Sequence, residues 1–211
     1  MKLKVCGITK LDQLKQLDEI GVDYAGLIFY KRSVRYVMDK LEGKEVTNLS
    51  LALRKVGVFV NASEEFIMTQ VEQYGLDLVQ LHGDETPAFC KQISGNVPVI
   101  KAFRITEKNE QNIDWMIKPY EEFCDFYLFD TNRKGAYGGT GEKFDWNLLL
   151  DNKINKPFFL SGGIGLADVE KLKGFTHPFF YAVDVNSRVE LADGIKDIKA
   201  IEELAHELLL K

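Results

Sequence analysis

Residues 1–10 read MKLKVCGITK: an apolar run that ends in a thiol, Cys6, and breaks at Gly7, after which Ile8 and Thr9 open a segment with helical character. A strand that ends in a reactive side chain at a turn, followed by a helix, is the repeating unit of a (β/α)8 barrel. Seven more apolar runs rich in β-branched and aromatic residues follow Leu3–Cys6, namely Tyr24–Phe29, Val56–Val60, Leu76–Leu81, Val97–Phe103, Phe126–Phe129, Pro157–Leu160 and Phe179–Val185. Eight runs in 211 residues give about 26 residues per unit. Their near-continuous apolarity, in place of an in-and-out alternation, suits parallel strands covered by helices.

Helix punctuation lies between the runs. Thr9 with Asp12 resembles a capping box, Leu11, Leu14, Leu17 and Ile20 form an apolar stripe, and Gly21 stops the segment. Ser63 is placed to cap a helix that ends at Gly75, and Thr86-Pro87 is a cap followed by proline at the first helical position. At the C-terminus Ile198, Ile201, Leu204, Ala205 and Leu208 recur at helical spacing. Short alternating β and α units imply parallel strands joined by right-handed crossovers. Eight of them imply closure, so the chain is read as α/β, a single-domain (β/α)8 TIM barrel over residues 1–211; a doubly wound open sheet is the alternative.

The formal charge of −5, with 45% hydrophobic and 28% charged residues, describes an ordinary globular chain. It argues against a general nucleic-acid or membrane-surface binder, which needs a basic face. No apolar run approaches the roughly 18 residues that span a bilayer. The N-terminus lacks the apolar core of a signal peptide, and the expected location is cytoplasmic. Cys6, Cys90 and Cys124 match no zinc spacing, so no metal site is expected and the thiols read as reduced.

In such barrels the chemistry sits where strands end. The runs are followed by Cys6-Gly7, Tyr30 to Arg35, Asn61, His82-Gly83-Asp84, Arg104, Asp130-Thr131, Ser161-Gly162-Gly163 and Asp184 to Ser187. Gly162 and Gly163 let backbone N–H groups approach an anion, and Asn186-Ser187 would open a short helix whose N-terminus favours negative charge. These two units, the seventh and eighth, are where such barrels hold phosphate. Cys6, just ahead of a helix start, is expected to have its thiolate stabilised. With Asp130 it supplies a base and an acid, as a proton-transfer isomerisation requires. His82 has two readings, a hydrogen-bonded structural residue or a group at the substrate. Gly138 to Gly141 reads either as a flexible loop or as a lid, and it is neither a Walker A loop nor a dinucleotide fingerprint.

Taken in order, these residues resemble the phosphoribosylanthranilate isomerase family over essentially the whole chain. The resemblance is carried by Lys4-Val5-Cys6-Gly7-Ile8-Thr9, Gly26-Leu27-Ile28-Phe29, Ser33-Val34-Arg35-Tyr36, Gly57 to Asn61, Val79 to Glu85, Phe129-Asp130-Thr131, Phe144-Asp145-Trp146, Ser161 to Ile164 and Asp184 to Glu190. It implies an Amadori rearrangement of N-(5'-phosphoribosyl)anthranilate in tryptophan biosynthesis, with Asp130 as general acid and Cys6 as general base. Arg35 would then fork onto the anthranilate carboxylate, His82 and Asp184 would lie near the substrate, and Gly162, Gly163, Asn186 and Ser187 would hold its phosphate. Asp130 would need a raised pKa, which partial burial can supply. The partner implied is a small phosphosugar substrate, with no nucleic acid, membrane or cofactor, on a monomer or homodimer.

Two departures stand out: Val34 replaces the family's usual proline before Arg35, and Asn186 and Arg188 replace a serine and a glycine in the phosphate segment. Other phosphosugar barrels fit less well. An indoleglycerol-phosphate synthase would want lysines at the rim of early strands, and a histidine-pathway isomerase an aspartate in place of Cys6. A non-catalytic phosphosugar-binding barrel would have no need of both Cys6 and Asp130.

Overall fold

In the computed structural model, which describes residues 1–106, 109–131 and 145–209, the eight runs form eight parallel strands closed into a barrel. In chain order these are β1 (Lys2–Cys6), β2 (Tyr24–Ile28), β3 (Arg54–Phe59), β4 (Leu78–Leu81), β5 (Val99–Ile105), β6 (Phe126–Thr131), β7 (Phe158–Leu160) and β8 (Phe180–Val185). Closure rests on β8 pairing with β1, with Lys4 opposite Asp184 and Val5 opposite Val185, which excludes the open sheet. Helices α1 (Leu11–Ile20), α2 (Gly43–Thr47), α3 (Glu64–Tyr74), α4 (Pro87–Ser94), α5 (Ile113–Ile117) and α6 (Val169–Gly174) run between the strands. The segment Gly138 to Gly141 lies outside the described residues.

Local chemistry explains most of the boundaries. The Ser63 and Thr86 hydroxyls accept the N–H groups of Phe66 and Phe89, capping α3 and α4, and Pro87 starts α4 where no intrahelical donor is needed. Gly21 and Gly75 end α1 and α3 in the left-handed conformation. Thr9 departs from expectation. Its hydroxyl donates to the Gly194 carbonyl instead of capping α1, which begins at Leu11 behind an uncapped Lys10. A partner distant in sequence has taken the hydroxyl that the local pattern reserved for the helix. That partner belongs to a feature not anticipated: a hairpin of β9 (Glu190–Ala192) and β10 (Ile195–Lys196), between β8 and the last helix, α7 (Ile198–Leu209).

Successive strand residues point to opposite sides. Leu3, Val5, Phe29 and Phe59 join the core shared by barrel and helices, together with Leu14, Leu17, Ile201, Leu204 and the packing thiols Cys90 and Cys124. Inside the barrel the floor is filled by Tyr24, Val56, Leu78, Ile100, Leu128, Phe159 and Ala182. Each large apolar side chain removed from water in this way contributes about 1.5–3 kcal/mol. Above that floor the interior turns polar, with Lys4, Gln80, Asp130 and Asp184 all buried. The ladder between β5 and β6 continues through Arg104 opposite Asp130 and Ile105 opposite Thr131. Asp130, next to last in β6, and Asp184, next to last in β8, are therefore strand and not loop residues, since backbone pairing is indifferent to a polar side chain aimed into a cleft. No helix among the described residues is long and apolar enough to cross a membrane.

Candidate active site

A cleft of about 470 Å³ opens at the C-terminal ends of the strands. It is lined by Cys6, Arg35, His82, Asp130, Gly162, Gly163, Asp184, Asn186 and Ser187, so every residue expected at the site shares one cavity. Arg104 does not: its guanidinium is turned to the Asp84 carboxylate, 2.6 Å away.

Cys6 ends β1, and Gly26 on β2 makes room for it, because a Cβ at position 26 would stand 2.7 Å from the thiol sulfur. The expected helix-start effect on this thiol is corrected by the structure. Cys6 lies well ahead of Leu11, where α1 begins, and burial pushes its pKa above the ordinary cysteine value. The strongest opposing influence is the positive charge of Lys4, two residues earlier on the same face of β1. Lys4 is itself fully buried, and burial would lower its pKa. The charge of Asp184, 2.7 Å away, together with Cys6, outweighs this and keeps the ammonium form favoured. Asp184 Oδ2 also accepts from Ser161 Oγ at 3.2 Å.

Asp130 is buried at the end of β6, with Oδ2 at 3.3 Å from His82 Nε2. His82 Nδ1 in turn faces Gln80 Nε2 at 2.7 Å. Both readings of the histidine therefore hold in part: it is hydrogen-bonded into the scaffold and it lines the cleft.

Arg35 reaches the cleft from the loop after β2, but its fork is already engaged. Nε and Nη2 donate to the two Glu190 oxygens at 2.8 and 2.5 Å, and Nη2 also reaches Asp193 at 3.2 Å. Burial would raise the Glu190 pKa, but hydrogen bonds from Arg35 and Lys196 hold it below the ordinary carboxylate value. Lys196 Nζ spans Glu190 Oε1 at 2.7 Å and Asn186 Oδ1 at 2.8 Å. The β9–β10 hairpin thus ties the loop after β2 to the segment after β8.

Gly162 and Gly163 both take positive φ, +100° and +68°, so the chain after β7 adopts a path open to glycine and strained for other residues. Ser187 opens a short 3-10 turn, Ser187–Val189, beside them. Arg32, Arg35 and Arg188 all line this cleft, and of these Arg35 is paired with Glu190 and Asp193.

The residues that a list of strand ends overlooks are Lys4, Gln80, Glu190 and Lys196. Lys4 and Gln80 did leave a signal. Each is a polar residue inside an apolar run, two positions before a rim residue, and so on the same face as Cys6 or His82. Glu190 and Lys196 left one as well: the two-residue loop Asp193-Gly194 between them is a hairpin-turn signature, but the flanking strands are too short to read as apolar runs.

Residues 3–207 match the family model described as N-(5'phosphoribosyl)anthranilate (PRA) isomerase. An N-(5'-phosphoribosyl)anthranilate isomerase of Parabacteroides distasonis is 37% identical over 211 residues, spanning 99% of this chain and 94% of the relative. Among solved structures, monomers of the dimeric phosphoribosylanthranilate isomerase of Thermotoga maritima superpose with a TM-score of 0.81 at 32% identity, over 99% of this chain and 98% of that one. A phosphoribosylanthranilate isomerase in complex with reduced 1-(o-carboxyphenylamino)-1-deoxyribulose 5-phosphate gives a TM-score of 0.81 at 31% identity, over 99% and 98% of the two chains.

Proposed function

The chain belongs to the N-(5'-phosphoribosyl)anthranilate isomerase family, and from that premise we propose a division of labour in which Asp130 is its general acid and Cys6 its general base. The enzyme is an isomerase of tryptophan biosynthesis that converts N-(5'-phosphoribosyl)anthranilate to 1-(2-carboxyphenylamino)-1-deoxyribulose 5-phosphate. The observation that carries the division is that a carboxyl and a thiol, at the ends of β6 and β1, face one cleft that arginines also line.

In this reading Asp130 gives its proton to the furanose ring oxygen, and the C1′–O bond breaks as the anilino nitrogen lone pair forms a Schiff base. Cys6, as thiolate, then takes the C2′ proton. The electrons of that bond move to make the C1′–C2′ double bond and return the nitrogen to a neutral amine. The resulting enolamine tautomerises to the ketone, so no atom is gained or lost. Lys4 is the counter-charge available to the thiolate, and Asp184 orients Lys4 from below.

Gly162, Gly163, Asn186 and Ser187 hold the phosphate in this reading. Asn186 Oδ1 faces Lys196, so the Asn186 amide is turned by the hairpin with its oxygen away from an anion. Arg35 meets the anthranilate carboxylate through Nη1, because its other donors are committed to Glu190 and Asp193. That makes one charge-assisted contact and not the full fork expected from residue type alone. The chain works in the cytoplasm as a monomer or homodimer, the T. maritima relative being described as dimeric.

The test is turnover by the purified protein. Anthranilate adducts fluoresce, so fluorescence should decay with enzyme-dependent kinetics on addition to the phosphoribosyl substrate. A decay no faster than the uncatalysed one would overturn the reading.

A further inference from the structure

Gln80, in β4, and His82, just past its end, lie two apart, and both line the cleft. Gln80 is 1% exposed, and its amide Nε2 stands 2.7 Å from His82 Nδ1, while its Oε1 is buried with no hydrogen-bond partner among the described residues. The far side of the imidazole completes a line, with Nε2 at 3.3 Å from Asp130 Oδ2.

An amide NH2 can only donate, so the ring nitrogen it faces must carry a lone pair. The neutral ring then has its proton on Nε2 and donates it to Asp130 Oδ2. We propose that Gln80 is a positioning residue that fixes the Nε2–H tautomer of His82, occupying Asp130 Oδ2 and confining the acid's own proton to Oδ1, the oxygen left to face the substrate. The inference rests on Asp130 being the general acid and adds which of its oxygens delivers the proton.

The opposite arrangement would put the proton on Nδ1 and a lone pair on Nε2. Asp130 could then meet His82 only by donating to it, and the catalytic proton would be held by the ring. Gln80 is what separates the two states, at the cost of leaving Oε1 without a partner in the barrel interior. A buried polar atom left in this way forfeits the hydrogen bonds it made in water and destabilises the fold. A stability cost of this kind, next to a proton donor, marks the amide as held for its direction.

The experiment is ¹⁵N NMR of the histidine-labelled full chain, in which the ring nitrogens report protonation directly. There are 3 histidines to resolve, His82, His177 and His206, and the His82→Asn spectrum identifies which signals are lost. The expected wild-type signal for His82 is a neutral ring protonated at Nε2. Gln80→Glu, which has no donor to offer, should move the proton to Nδ1, and Gln80→Met should give a mixture of tautomers. In both variants kcat should fall on the order of 10-fold with KM changed less than about 2-fold, a smaller loss than removal of the acid itself. A wild-type ring protonated at Nδ1 overturns the proposal without any variant having to fold, and so does a tautomer unmoved in Gln80→Glu. Asp130→Asn is read separately. An undiminished kcat there would remove Asp130 as the acid, whatever the histidine spectrum shows.

Discussion

Lys4 Nζ lies 2.7 Å from Asp184 Oδ1 inside the barrel, with the lysine side chain fully buried and the aspartate 5% exposed. The two are opposed in the β1–β8 ladder, the seam that closes the barrel. One ion pair therefore joins the first strand to the last and places a cation below the thiol of Cys6.

Lys4→Met tests that arrangement. Lys4 is the largest influence holding the Cys6 pKa down against burial, so its removal should raise a value already above the ordinary one. Each further unit costs about tenfold in thiolate at neutral pH, and kcat should fall accordingly. The pH dependence of Cys6 alkylation by iodoacetamide, read by peptide mass mapping, gives the shift directly; an unmoved midpoint refutes the role. Leaving Asp184 without its partner should also cost about 3–5 kcal/mol in denaturant unfolding. The sign of the linkage is fixed by the same shift. With its folded pKa raised, Cys6 contributes stability that is complete below the ordinary cysteine pKa and is lost as pH rises through the folded value.

Cys6→Ala and Asp130→Asn should each lower kcat by at least about 10² while leaving KM nearly unchanged, as loss of a positioned base or acid does. Steady-state fluorescence assays on both variants decide it. If both turned over at the wild-type rate, the proton-transfer roles would be wrong.

The barrel was legible because its strands are short, apolar and evenly spaced, and because caps such as Ser63 and Thr86 act on neighbouring N–H groups. The rim was legible for a similar reason: an apolar run that stops at Cys6 or Asp130 stops where the strand meets the cleft. What escaped depends on contacts far apart in the chain. Thr9 finds Gly194, Arg35 finds Glu190, and Lys4 finds Asp184, and in each case the tertiary partner changes what the side chain is free to do. The direction of the Cys6 shift belongs here too, since burial is a property of the closed barrel and not of the helix that follows.

Arg35→Ala should mainly raise KM by removing the contact with the substrate carboxylate, and an unchanged KM would remove that role. Glu190→Gln separates the arginine from its clamp. Glu190 has a lowered folded pKa, so its contribution to stability is present above the ordinary glutamate value, about 4.3, and is lost as pH falls through the folded value. Wild-type thermal stability should accordingly drop in acid more steeply than that of Glu190→Gln. Parallel melting curves from neutral pH to about pH 3 would show the clamp to be idle if the two profiles ran together.

Gly162→Ala tests the phosphate end of the cleft. The new Cβ would stand 2.4 Å from Thr131 Oγ1 and 2.6 Å from the Thr131 backbone nitrogen, at a φ of +100°. Backbone cannot yield as a flexible side chain tip can, so the loop after β7 must move away from the end of β6. The strain should cost on the order of 1–3 kcal/mol of stability. If that loop holds the phosphate, moving it should raise KM and weaken competitive inhibition by inorganic phosphate on the order of 10-fold, which is about 1.4 kcal/mol of lost binding. Gly174→Ala, where an added Cβ meets nothing within 4 Å, serves as the comparison and should leave both constants in place. A Gly162→Ala enzyme that is less stable but inhibited by phosphate as the wild type is would place the anion elsewhere, because strain alone lowers stability without selecting one end of the substrate.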